Sequence, residues 1–269
     1  SLSLMALPKL AQAGTTIRRY QVTANIGSAS FSQDNKQTSL WLYNNTNPGP
    51  LLKAKKGEIL EVEFINKLDQ PTTIHWHGIR NLNEMDGVPE LTQAAVEPGD
   101  KFTYRFPVND AGTFWYHAHN KSWEQVARGL YGALIVLDDD ETFEDDRDHL
   151  IVADDWLLDE NGQIDSASFG SLGHWSHGGR LGNTLTTNGS FMPTIEIAAM
   201  GQVRLRLLNT ANARILSFAL NDGLPMKVVS VDGSPCKTFE VEKVTISPAQ
   251  RVDVVVEDCA QLSRLFEIS

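Results

Sequence analysis

Residues 72–80 read TTIHWHGIR and residues 112–119 read GTFWYHAH. Both stretches are rich in β-branched and aromatic residues, so each predicts a strand, and each ends on a His-x-His pair: His75 with His77, His117 with His119. Side chains at i and i+2 of a strand share a face, so each pair projects both imidazoles the same way. Their Cα atoms lie about 6.5 Å apart, wide for both rings to reach one ion. Each pair therefore suits neighbouring ions, and two facing pairs suit a cluster. Neutral imidazole binds zinc, copper, iron or nickel, and the lack of Cys or carboxylate ligands within the motifs favours copper.

Working outward, short runs of Val, Ile, Thr, Phe and Tyr alternate with turn residues about every eight to twelve positions, the spacing of a β-sandwich or barrel. Strands are expected at Thr16–Ala24, Glu58–Asn66, Thr72–Gly78, Lys101–Val108, Thr113–His117 and Leu130–Leu137. No stretch carries a sustained helical period. At 138–148 the sequence becomes DDDETFEDDRD, with eight acidic residues of eleven, which reads as a solvated linker.

Beyond it the strand pattern resumes at His149–Ala153, Thr184–Thr187, Thr194–Ala198, Gln202–Asn209, Ile215–Leu220, Met226–Val231, Val244–Ser247, Arg251–Glu257 and Leu265–Ile268. The chain is thus expected to be all-β, with a lead-in at 1–14, one sandwich over 15–140 and a second over 141–269. A Gly- and Ser-rich loop, 166–182, carries His174 and His177.

The 269 residues are 41% hydrophobic and 21% charged, enough apolar material for a sizeable core. A formal net charge of −11 argues against nucleic acid or an anionic membrane as the main partner. No apolar run reaches the eighteen or so residues of a membrane-spanning helix. Ser1–Gly14 is an apolar stretch ending in Ala11-Gln12-Ala13, the small-x-small pattern of a cleaved export signal, and places the protein in the periplasm or outside the cell. Cys236 and Cys259 are too few for a disulfide framework, though one bridge is permitted.

The sequence resembles the multicopper oxidases, the family of laccases, ferroxidases and bacterial cuprous oxidases. The resemblance rests on the two histidine motifs, on MDGVPELTQAAVEPGDKFTYRF at 85–106 and GLYGALIV at 129–136, and further on TTNGSFMPTIEI at 186–197, GQVRLRLLNTANAR at 201–214 and SPAQRVDVVVE at 247–257. It implies two cupredoxin-like Greek-key β-sandwich domains, the first holding half the ligands of a trinuclear copper cluster. Carried over, His75 would bind the type 2 copper and His77, His117 and His119 the type 3 pair. Trp76, Trp115 and Tyr116 would pack the strands and shield the cluster. Asp86, in MDGVP, would assist proton delivery as dioxygen is reduced to water, while the same Asp-Gly pair also has turn-forming chemistry.

The resemblance also implies a type 1 copper held by a His-Cys-His motif, and neither Cys236 nor Cys259 has a flanking histidine. The chain therefore resembles the first two domains of a three-domain oxidase, the third supplied in cis or by a partner chain in trans. The expected substrates are phenols or cuprous, ferrous or manganous ions. The competing reading is a non-catalytic cupredoxin scaffold of the cell-division type, which would be expected to have lost the copper-binding histidines. A copper-storage module would call for Met-rich runs, and five scattered methionines give it little support.

Overall fold

From Ile59 to Asn66 burial alternates residue by residue: Leu60, Val62, Phe64 and Asn66 are buried and the residues between them half-exposed. That is the period of a strand with one face on a core. Strands of this kind dominate the computed structural model, which describes residues 16–31, 36–176, 178–191, 201–220, 224–257 and 267–268.

The first half of the chain forms β1 (Ile17–Ser30), β2 (Gln37–Tyr43), β3 (Gly49–Lys55), β4 (Ile59–Asn66), β5 (Ile74–His77), β6 (Lys101–Pro107), β7 (Gly112–Ala118) and β8 (Tyr131–Leu137). They make two four-stranded sheets, ordered β2-β1-β4-β6 and β3-β8-β7-β5. The pairs β1/β4 and β3/β8 are parallel, so the chain crosses between sheets as a Greek-key sandwich does. Between the sheets lies a core built around Phe64, Trp76, Tyr104, Phe106 and Tyr116. The Trp76 ring meets Tyr104 and Phe106 at 5.4 and 5.1 Å between centroids.

The second half forms β9 (Asp148–Trp156), β10 (Thr184–Thr187), β11 (Val203–Asn209), β12 (Leu216–Ala219), β13 (Met226–Val231), β14 (Ser234–Val241), β15 (Lys243–Ile246), β16 (Arg251–Val256) and β17 (Glu267–Ile268). A six-stranded sheet, β10-β9-β11-β16-β13-β14, lies against a three-stranded one, β15-β12-β17. Leu205, Leu207, Phe218, Met226, Ile246 and Val254 fill the space between them. Two short helical turns, α1 (Ser122–Gln125) and α2 (Leu172–Ser176), accompany the strands.

Most expected strands are present, and three strands were not anticipated: β2, β3 and β14. In β14 the side chains are mostly exposed, so its sequence carries no apolar alternation. The expected strand Thr194–Ala198, the lead-in Ser1–Gly14 and Cys259 lie outside the described residues, and Cys236 is half-buried in β14.

The acidic run is not merely a solvated linker. Glu141 and Asp148 close on Arg204 Nη2 at 2.7 and 2.6 Å, and Asp148 Oδ1 accepts from the buried Arg206 Nε at 2.7 Å. Exposed pairs such as Lys53–Asp145 add at most about 1 kcal/mol. The Arg206 group is different, because it continues into the seam between the sandwiches. There Arg206 Nη1 and Thr113 Oγ1 are 2.7 Å apart, and Thr113 Oγ1 donates to Asp253 Oδ1 at 2.7 Å.

Around this polar contact the seam is apolar. Leu40, Leu42, Trp115 and Tyr131 from the first half meet Val152, Trp156 and Leu208 from the second. Asp154 is buried among them, and loss of hydration pushes its carboxyl up to about 8 against the opposing hydrogen bond to Tyr131. Between its ordinary value and about 8 the folded chain keeps a proton that the unfolded chain has released, so this residue's stabilisation falls as pH rises through that window. Urea titrations from pH 4 to 9 are expected to show Asp154→Asn losing less stability than the parent as pH rises, with a slope difference of up to about 1.4 kcal/mol per pH unit. Parallel curves would mean that Asp154 is not protonated in the seam.

Candidate metal centre

Antiparallel pairing sets His75 opposite His117 and His77 opposite Trp115. Ile74, Trp76, Tyr116 and Ala118 enter the core of the first sandwich, and the alternation leaves His75, His77, Trp115 and His117 on the opposite face. His119 follows the end of β7. The His75 ring lies 5.7, 5.3 and 5.1 Å from those of His77, His117 and His119 between centroids. One nitrogen from each of His75, His77 and His117 falls within 4.8 Å of the others. All four expected ligands are therefore together.

The closest approach is across the strands. His77 Nδ1 and His117 Nε2 are 3.3 Å apart, and two nitrogens each about 2.0 Å from one tetrahedral ion would be separated by about 3.3 Å. Within one strand the rings stay farther apart, as the spacing implied. The cross-strand pair suits one ion, and its strand neighbours suit others.

Two contacts aim the rings. His75 Nδ1 lies 2.7 Å from the carbonyl oxygen of Asp86, and His117 Nδ1 lies 2.9 Å from that of Ala118. A ring nitrogen that donates to a carbonyl leaves the other free to bind a metal. Asp86 thus meets His75 first through its backbone, with its carboxylate at 3.5 Å. The loop reaches this position because residue 87 is glycine: its φ is +76°, and a Cβ there would run into the Ile74 carbonyl oxygen. No side-chain pattern signals that the main chain of Asp86 is the partner.

Three of the four imidazoles are pushed toward the neutral form. Burial lowers His117 to about 3 and His77 to about 4, with smaller contributions from neighbouring histidines and, at His77, from Arg251. His119 is lowered for the same first reason. Neutral rings do not oblige an incoming cation to displace protons near pH 7. Trp115, 4.3 Å from the His117 ring and 5.1 Å from that of His77, shields this face from the seam side. Trp76 and Tyr116 serve the core instead.

The rings open onto a cavity of about 500 Å³ between the sandwiches, whose far wall includes Phe169, His174, Arg180 and Thr210. His174, expected only as a loop residue, is brought to this wall by α2, and His177 lies outside the described residues. Arg180 donates from Nε to Ser168 Oγ at 2.8 Å and stacks on Phe169.

The two halves of the chain match one family of known proteins. Multicopper oxidase profiles match residues 25–141 and 147–264. The chain belongs to the multicopper oxidase family. It is 30% identical over 265 residues to Laccase-1 of Cryptococcus neoformans, covering 90% of this chain and 42% of that protein. It is 34% identical over 241 residues to Multicopper oxidase MmcO of Mycobacterium tuberculosis, covering 80% and 47%. Among solved structures, the multicopper oxidase from Pseudomonas thermotolerans superposes with a TM-score of 0.85 at 35% identity, covering 90% of this chain and 58% of that one. The chain spans about half the length of the curated relatives it matches.

If Gly87 holds the loop against β5, Gly87→Ala is expected to cost about 1–3 kcal/mol of stability through backbone strain. It should also free the His75 ring, seen in NMR as loss of its slowly exchanging imidazole proton. An unchanged unfolding midpoint would refute this account of the loop.

Proposed function

We propose that this chain carries the dioxygen-reducing half of an exported oxidase that couples one-electron oxidation of a phenolic or metal-ion substrate to reduction of dioxygen to water. The observation that carries the reading is the set of four imidazoles gathered on one face, with ring nitrogens aimed by carbonyl oxygens. Such an all-nitrogen donor set fits copper. In this reading His75 holds a type 2 copper, and His77, His117 and His119 hold a type 3 pair. In this reading the domains run over 15–140 and 141–269, a division supported by separate sheets in the two halves, and the lead-in at 1–14 with its Ala11-Gln12-Ala13 pattern supports export.

Bound copper would supply electrons to dioxygen. The chain's own residues bind, orient and shield. His77 and His117 offer the cross-strand pair, Asp86 O and Ala118 O fix two tautomers, and Trp115 keeps water from the seam side. The Asp86 carboxylate, 32% exposed and 3.5 Å from His75 Nδ1, is the group placed to take a proton from solvent and pass it to the cluster face. Four imidazoles are too few for three copper ions, so the proposal requires further ligands from a third cupredoxin domain, in cis or from a partner chain. The scaffold alternative gains no support, since nothing in a purely structural role calls for four imidazoles gathered on one face, two of them aimed by carbonyl oxygens.

The test is copper analysis after equilibrium dialysis of the isolated chain and of a variant with His75, His77, His117 and His119 all changed to Ala. The parent is expected to retain copper at less than three equivalents and the variant to retain none above background. Equal copper in both would overturn the assignment.

A further inference from the structure

We propose that Arg251, a residue of the second sandwich, is a positioning residue for the histidine face of the first: its guanidinium fixes where β5 ends and β7 begins, and so sets His77 relative to His117. The inference rests on the proposal that these histidines hold copper.

Arg251 opens β16 and is 3% exposed. Its Nε donates to the carbonyl oxygen of Thr113 in β7 at 3.2 Å, four residues before His117. Its Nη1 donates to Ala249 O at 2.9 Å and lies 3.1 Å from Asp232 Oδ1. Its Nη2 lies over Gly78, the residue after His77, where a Cβ would come within 2.5 Å of that nitrogen and 3.1 Å of Phe114 Cδ1. One planar group therefore touches the exit of one ligand-bearing strand and the entrance of the other.

The rest of the surroundings hold the guanidinium in turn. Asp232, in the β13–β14 turn, accepts from Arg251 N at 3.0 Å, and its own N–H donates to Arg251 O at 2.8 Å. A buried cation with one partly exposed carboxylate partner is a poor source of stability, because its desolvation offsets most of the attraction. Its contacts are better explained by geometry: a guanidinium directs rigid donors in several directions at once, which an ammonium on a flexible stem does not. Thr113 supplies a control, since its hydroxyl ties the same strand to Asp253 and Arg206 without touching Gly78.

The experiment measures copper(II) affinity by competition with a chelator, and unfolding by urea, for the isolated chain and for Arg251→Met, Arg251→Lys and Thr113→Val. Arg251→Met is expected to weaken copper binding about tenfold, as removal of a group that orients metal ligands does. Arg251→Lys, which keeps the charge but not the fork, should recover little of it and change the visible spectrum of the bound copper. Thr113→Val should lose stability with copper affinity within about twofold of the parent. If Arg251→Met is not folded, the Lys variant decides. Affinity unchanged in the folded Arg251 variants, or lost in proportion to stability equally in Thr113→Val, would reduce Arg251 to a tie across the seam and overturn the inference. Parent chain that binds no copper would instead defeat the functional proposal itself.

Discussion

The register of β5 against β7 is the constraint on which the molecule depends. With His75 opposite His117, the alternating partners Trp76 and Tyr116 fall inside the first sandwich. A slip of β5 by one residue would turn Trp76 toward the seam and His75 and His77 into the core. Each buried aromatic contributes about 1.5–3 kcal/mol, so the slip is excluded by the packing of the core. The histidine face is precise because its reverse side is crowded.

The same economy governs the seam. Its apolar contacts, including Phe31 stacked on Trp156 at 4.5 Å, supply the attraction. The polar cluster of Thr113, Arg206 and Asp253 adds direction, for breaking a buried pair costs about 3–5 kcal/mol while forming one gains little. The β13–β14 turn meets β7 so closely that Gly112 and Gly233 leave no room for a Cβ on Gly112. Thr113, Trp115 and His117 share one face of β7, so the second sandwich packs on the same face of the strand that carries His117.

Burial connects these two features to chemistry. A shallow site would leave the imidazoles near their ordinary pKa and partly protonated below neutral pH. Enclosed between sandwiches, His77 and His117 are held well below it, and the carbonyl oxygens of Asp86 and Ala118 choose which nitrogen faces the cavity. A polar site in a desolvated seam is costly to the fold, and the same desolvation is what keeps His77 and His117 unprotonated.

Much was legible in the sequence because strand geometry is periodic. The two His-x-His pairs, their common face, the all-β class, the two successive sandwiches and the family resemblance all follow from alternation and motif. What alternation cannot say is what lies against a face. Trp76 and Trp115 read alike in the sequence, yet one is core and the other guards the histidines, because they occupy opposite faces of neighbouring strands. β3 pairs in parallel with β8, some eighty residues on, and β14 lies exposed at an edge, so neither announces itself locally. Asp86 acting through its carbonyl, His174 on the cavity wall and Arg251 reaching from another sheet are distant in sequence from the ligands or silent in side-chain type. Their roles were decided by tertiary structure, since only the packing of one sandwich on the other brings those atoms within hydrogen-bonding or van der Waals range of the strands that carry the histidines.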